Sequence, residues 1–165
     1  LIAVVAGPPG IGKTTLVKTK PTWVDSYLVV DADKFGYRET ADENSAWLVN
    51  WATLKEFVNG DNAIVFVMAK NWHEYDDLNP DLVFWLKPTW SWEVQRARLL
   101  QRIKEKKNTW PRTPEQWATS ESGFEKGLAF GYSDSRIQGF DMYLDEDPDV
   151  TWDRLFNAIQ DQYYF

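Results

Sequence analysis

Between an apolar hexapeptide and a short helix-forming segment, the chain carries Gly7-Pro8-Pro9-Gly10-Ile11-Gly12-Lys13-Thr14, which matches G-x-x-x-x-G-K-[ST] at every fixed position. Leu1 to Ala6 is unbroken apolar sequence, as expected of a strand buried on both faces, and Thr14 to Lys20 carries helical residues until Pro21 stops them. Strand, glycine loop and helix in that order predict a phosphate-binding loop; the competing account is a Gly-Pro turn with an incidental lysine. Glycines let backbone N–H groups turn inward around phosphate oxygens, and the following helix start adds partial positive charge. Lys13 would bridge β- and γ-oxygens, and Thr14 would offer its hydroxyl to Mg²⁺. The expected nucleotide-binding set is Gly7, Pro9, Gly10, Ile11, Gly12, Lys13, Thr14 and Thr15, the last chiefly by supporting the helix start.

A chain of 165 residues suits one domain spanning 1–165 and buries roughly 70% of its unfolded surface. No linker, repeat or low-complexity tract divides it. Its apolar runs are strand length, so no membrane partner is expected. The absence of cysteine excludes disulfides and thiolate catalysis and fits a cytoplasmic protein. His73 is the single histidine, too few for a histidine-based metal cluster. The ten tryptophans are expected mostly in the core or at subunit contacts, with one or two available to stack on a base.

Net charge is −7, which argues against a general nucleic-acid coat. Against that background Lys87, Arg96, Arg98, Arg102, Lys104, Lys106, Lys107 and Arg112 face only Glu93 and Glu105 between positions 87 and 112. A basic island on an acidic chain predicts a specific anion site, here polyphosphate.

Ser26 to Val30 reads as a second buried strand ending at Asp31-Ala32-Asp33, and carboxylates at such a strand end face the crevice where open α/β sheets bind ligands. Asp33 is the candidate general base for an acceptor hydroxyl, and Asp31 would hold a Mg²⁺-bound water or orient its neighbours. A solvated turn with Asp33 capping a helix is the bland alternative. Arg38 either reaches an acceptor phosphate or is an ordinary surface arginine. Glu43 to Asn59 predicts a helix with Trp47, Trp51, Leu54 and Val58 on one face, as core rather than a stacking platform.

Ala63 to Ala69 predicts a third buried strand, from which Lys70 and Asn71 emerge toward the acceptor. No acid closes that strand, which moves metal support to Asp31 or Asp33. Leu82 to Leu86 is a fourth strand, followed by a helix including Trp92 to Lys107 with Val94, Ala97, Leu100 and Ile103 inward. Arg98 and Arg102, four apart, would clamp a transferring phosphoryl group or form part of a solvated basic face. Positions 88–122 would then be a basic helical lid, with 108–121 as its mobile cover. Beyond it, Gly123, Gly127, Gly131 and Gly139 suggest a short helix and loops. Phe140 to Leu144 predicts a fifth strand, and Thr151 to about Gln160 a closing helix with Trp152, Leu155, Phe156 and Ile159 inward.

This order resembles the P-loop kinase group, and within it the kinase domain of phage polynucleotide kinase. The likeness rests on the phosphate loop, on Val30-Asp31-Ala32-Asp33-Lys34-Phe35-Gly36-Tyr37-Arg38 and on Arg98-Leu99-Leu100-Gln101-Arg102, and covers roughly residues 1 to 120. Ala69, Lys70 and Asn71 stand where family members end the third strand with aspartate, and Gly36 stands where the closest match would put arginine.

The resemblance implies a three-layer α/β P-loop NTPase fold: a five-stranded parallel sheet in order 2-3-1-4-5 with helices on both faces. It implies ATP and Mg²⁺ as cofactors, Asp33 as base and Arg102 as the lid arginine acting at the transition state. The acceptor would be a hydroxyl on a nucleic acid or nucleotide, either a 5′-hydroxyl end or a hydroxymethyl base as in phage DNA modification, which would place the protein in a host cytoplasm. A small-molecule nucleoside or nucleotide kinase is the alternative, and an ATPase switch acting through partners the third reading.

Overall fold

The computed structural model describes residues 1–42, 45, 47–68, 74–107, 110–130 and 137–163. Its centre is a five-stranded parallel sheet built from β1 (Ile2–Gly7), β2 (Leu28–Asp31), β5 (Ala63–Met68), β6 (Leu82–Pro88) and β7 (Ile137–Met142). These lie in the order β2-β5-β1-β6-β7, so the five sheet strands, counted along the chain, run 2-3-1-4-5 as expected. β1 is central because its residues are apolar on both faces. Ala3 and Val5 pack with Phe66, Phe84 and Trp152, whereas Val4 and Ala6 pack with Val65, Trp85 and Leu54. Each fully buried aliphatic side chain of this kind contributes about 1.5–3 kcal/mol.

Helices cover both faces. On one, α1 (Lys13–Lys18) and α5 (Pro148–Tyr163) pack together, with Trp152, Leu155 and Ile159 fully buried, as the helical period predicts. The indole N–H of Trp152 donates to the Leu16 carbonyl at 2.9 Å, tying the closing helix to the helix that follows the glycine loop. The opposite face is covered by α2 (Trp51–Val58), with Trp51, Leu54 and Val58 inward. The last two helices, α3 (Trp92–Lys104) and α4 (Pro114–Phe130), meet through Trp92, which lies 6.3 Å from Trp117 and 5.6 Å from Phe124 between ring centroids.

Four expectations are corrected. The helix expected from Glu43 starts only at Trp51. Trp47–Val49 is instead strand β4, antiparallel to β3 (Gly36–Arg38), because Asn50 caps α2 by accepting the Thr53 N–H at 3.1 Å and donates its own N–H to the Phe35 carbonyl at 2.9 Å. The segment around Gly123 and Gly127 is one 17-residue helix rather than short pieces. Gly127 is there for contact: a Cβ at that position would come within 2.8 Å of the Trp85 ring.

α3 turns inward a different face from the expected one. Val94 and Leu100 are exposed, as is Ala97, and the buried residues are Gln95 and Leu99. A three-residue spacing drifts about 60° per step on a 3.6-residue helix, so four such positions span half the cylinder instead of one stripe. The fifth strand likewise begins earlier, at Ile137, and ends at Met142.

Candidate active site

The glycine loop leaves the C-terminal end of β1 and enters α1. Gly10 and Gly12 take left-handed backbone angles, φ +77° and +111°, which side chains with a Cβ rarely adopt. Gly12 is the residue capping α1, and no side chain caps it. The Lys13 ammonium donates to the loop's own carbonyls, Gly7 and, at 2.9 Å, Pro8. Thr14 and Thr15 stand exposed on the first turn of α1, and Ile11 is buried beneath the loop.

β2 runs beside β5, one strand removed from β1, and delivers Asp31 and Asp33 to the same edge of the sheet. Asp31 ends the strand, and its carboxylate accepts the Asp33 N–H at 3.0 Å, opening a tight turn over Ala32–Phe35. Asp33 is therefore inside the turn and half-buried, not the capping residue itself. Both carboxylates act on Lys13. Burial pulls its pKa down to about 8, and the negative charges of Asp33 and then Asp31 oppose that fall.

The lowered value sets two pH effects of opposite sign. Unfolded lysine keeps its proton to about 10.5, so between about 8 and 10.5 the unfolded chain binds more protons and this group makes the folded protein more stable as pH rises. A charged ammonium is what a phosphate needs, so affinity for ATP should fall over the same window, by up to about tenfold per pH unit once Lys13 loses its proton. Urea unfolding and ATP titration at pH 7 and 9 read the two slopes, and Lys13→Met should flatten both. Parallel slopes in wild type and variant would refute the assignment.

Across the loop lies α3. Its N-terminal cap is Ser91, whose hydroxyl accepts the Val94 N–H at 3.3 Å. One turn in, buried Gln95 donates to the Pro9 carbonyl at 2.9 Å and accepts the Trp90 indole N–H at 2.8 Å. The Arg98 guanidinium lies 5.0 Å from the Trp90 ring centroid. Burial, and then the like charge of Arg102, pull Arg98 below its ordinary value, while Asp145 pulls it back. The two arginines thus share one region, as their spacing predicts. Arg102 is half-buried, and its Nε is shut off from solvent with no hydrogen-bond partner among the described residues.

Arg96 lies over the Trp117 ring at 5.4 Å, Lys107 pairs with Glu105 at 3.1 Å, and Lys104 and Lys106 are exposed. Arg38 is exposed on β3 and lies 5.8 Å from the Trp47 ring. Lys70 and Asn71 lie outside the described residues, as does His73. Gln95 and Trp90 were missed in the sequence. The available signal was helical phase, since Gln95 lies on the same face as Leu99 and Arg102.

Among the described residues no helix is long and apolar enough to cross a membrane, and no three metal-ligating side chains cluster. No curated protein sequence matches the chain. Solved structures do match its fold, at low identity. A shikimate kinase from Bacteroides thetaiotaomicron superposes with TM-score 0.63 at 16% identity, covering 97% of this chain and 98% of that one. Kti12 from Chaetomium thermophilum, in complex with ADP-AlF3, gives 0.59 at 15% over 98% of each chain. A deoxyadenosine kinase from M. mycoides, with products dCMP and dCDP bound, gives 0.54 at 15%, covering 98% of this chain and 100% of that one. These likenesses are of fold, shared with kinases of different substrates, and do not single out phage polynucleotide kinase. A family model described as an AAA domain matches residues 1–119. With that match over most of its length, the chain belongs to the AAA domain family, and its fold is the three-layer α/β architecture of P-loop NTPases.

Proposed function

We propose that this protein transfers the γ-phosphate of ATP to a hydroxyl of a small molecule, with a nucleoside or nucleotide as the acceptor class. The observation that carries the reading is that the glycine loop with Lys13 and the turn with Asp31 and Asp33 leave β1 and β2, the two strands flanking β5, at the same edge of the sheet, with α3 hydrogen-bonded to the loop from the other side. A cation for the polyphosphate, a base for the acceptor and arginines for the charge in transit are the parts phosphoryl transfer needs. The likeness to a shikimate kinase and a deoxyadenosine kinase supports a small acceptor.

In this reading the loop N–H groups and Lys13 hold the β- and γ-phosphates. Asp33 accepts the proton of the acceptor hydroxyl, while Asp31 fixes the turn that aims it. Arg98 and Arg102 clamp the three equatorial oxygens of the transferring group. Mg²⁺ suits the donors present: the exposed Thr14 hydroxyl and one Asp31 oxygen fit a hard ion that keeps most of its waters, and the ion would neutralise charge on the phosphates. Arg38, Lys70 and Asn71 are proposed to hold the acceptor.

A second reading, a hydroxyl on a nucleic acid, is favoured by one observation: Lys104, Lys106 and Arg112 are exposed at and beyond the end of α3, on the lid side of the loop. Incubation with Mg²⁺ and γ-labelled ATP against nucleosides, nucleotides, small hydroxy acids, 5′-hydroxyl oligonucleotides and hydroxymethyl-base DNA separates the two. Label on a nucleoside or nucleotide is the expected result. Label confined to oligonucleotides or DNA would transfer the assignment to the second reading, and label released only as free phosphate would overturn both.

A further inference from the structure

Gln95 is a buried polar residue, 1% exposed, beside the glycine loop. Both ends of its amide are used. The Nε2 group donates to the Pro9 carbonyl at 2.9 Å, and Oε1 accepts from the Trp90 indole at 2.8 Å. Because the indole can only donate, it fixes which end of the amide is oxygen, and the nitrogen therefore faces the loop. The fit is close, since a Cβ on Gly10 would lie 2.7 Å from Nε2 and 2.8 Å from Leu99 Cδ2.

The Pro9–Gly10 peptide is trans, the one cis bond among the described residues being Trp110–Pro111. In a trans peptide the C=O and the following N–H point in opposite directions. Drawing the Pro9 carbonyl toward α3 therefore turns the Gly10 N–H away from α3. The left-handed angle at Gly10 keeps the next peptide in step with that choice.

We infer that Gln95 is a positioning residue, which sets the Pro9–Gly10 peptide so that the Gly10 N–H is presented to the nucleotide's polyphosphate. The inference rests on the glycine loop binding a nucleotide, not on which acceptor is phosphorylated. It also joins the loop to Arg98, which stacks on the same Trp90 that orients the amide. The lid helix and the loop are thereby held in register through one side chain.

Gln95→Glu tests the role directly, because the carboxylate still accepts from Trp90 but has no N–H for Pro9. Gln95→Met keeps the length and removes both bonds. Affinities for adenosine, ADP and ATP are measured by calorimetry, with thermal unfolding of each variant without ligand. A positioning role predicts a loss of about tenfold or more for ADP and ATP in both variants, with adenosine affinity changed less than twofold. Gln95→Glu should lose the more because its charge opposes both the carbonyl and the phosphates. Equal weakening of all three ligands, or ADP and ATP affinities within twofold of wild type, would overturn the inference. A wild-type protein that binds none of them would overturn the nucleotide reading itself, a result separable from the first because it appears before any substitution. Should one variant not fold, the other carries the comparison, and their unfolding temperatures separate lost packing from lost presentation.

Discussion

Asp33→Asn should lower kcat by about 10²–10⁴-fold, the usual contribution of a positioned general base, while ATP affinity at neutral pH stays within a few-fold of wild type. Asparagine keeps the size and the turn but cannot take a proton. Asp33 also provides the largest charge supporting the Lys13 ammonium, so the substitution should move the loss of ATP binding to a pH below about 8. Single-turnover transfer and calorimetry across pH 6 to 9 read the two effects separately. Unchanged turnover would remove Asp33 from the chemistry. Turnover and affinity falling together would make it a binding residue instead.

Arg102→Met should cost about 10³-fold or more in kcat, the lower range for an arginine acting on a transferring phosphoryl group. The same change should leave the ligand-free protein as stable or more stable. A buried donor without a partner costs about 1–3 kcal/mol, and the Arg102 Nε is such a donor, so an apolar side chain of similar length relieves that cost. Kinetics and thermal unfolding on one preparation decide the matter. Destabilisation together with lost activity would mean that Arg102 is a structural strut. Retained activity would return the pair to a plain basic surface.

Much of the architecture was legible in the sequence because buried parallel strands are written as uninterrupted apolar runs. Leu1 to Ala6 and Ala63 to Ala69 could be nothing but strands once a glycine loop followed the first, although Ala69 lies outside the described residues. Strand order was less local and came from the likeness that the loop suggested. The errors share one cause, the use of spacing without contact. Trp47 fits a helical face shared with Trp51, Leu54 and Val58, yet its backbone is taken by β3, and no periodicity reports a hairpin partner. Gly123 and Gly127 look like helix breakers, but a helix that must approach Trp85 gains from lacking a Cβ there. Gln95 was passed over because polar residues on helices are read as facing water, whereas its amide is satisfied at both ends by groups distant or aromatic in the sequence.

The inward face of α3 is of a different kind from those of the other long helices. α5 anchors itself with Trp152, Leu155 and Ile159, and α2 with Trp51, Leu54 and Val58, whereas α3 packs Trp92 against Trp117 and Phe124 of α4 and meets the loop through the Gln95 amide and the buried Leu99. Hydrogen bonds and cation–π contacts exchange with water at little net cost, whereas apolar area does not. The fold therefore has a seam. Parting α3 from the loop breaks one amide hydrogen bond and the Leu99 contact, which costs less than lifting α2 or α5 with its buried aromatic and aliphatic side chains, and it leaves the sheet intact. Grip on a polyphosphate and ease of letting it go are thus set on the same surface, and tightening that surface with apolar substitutions would trade turnover for rigidity.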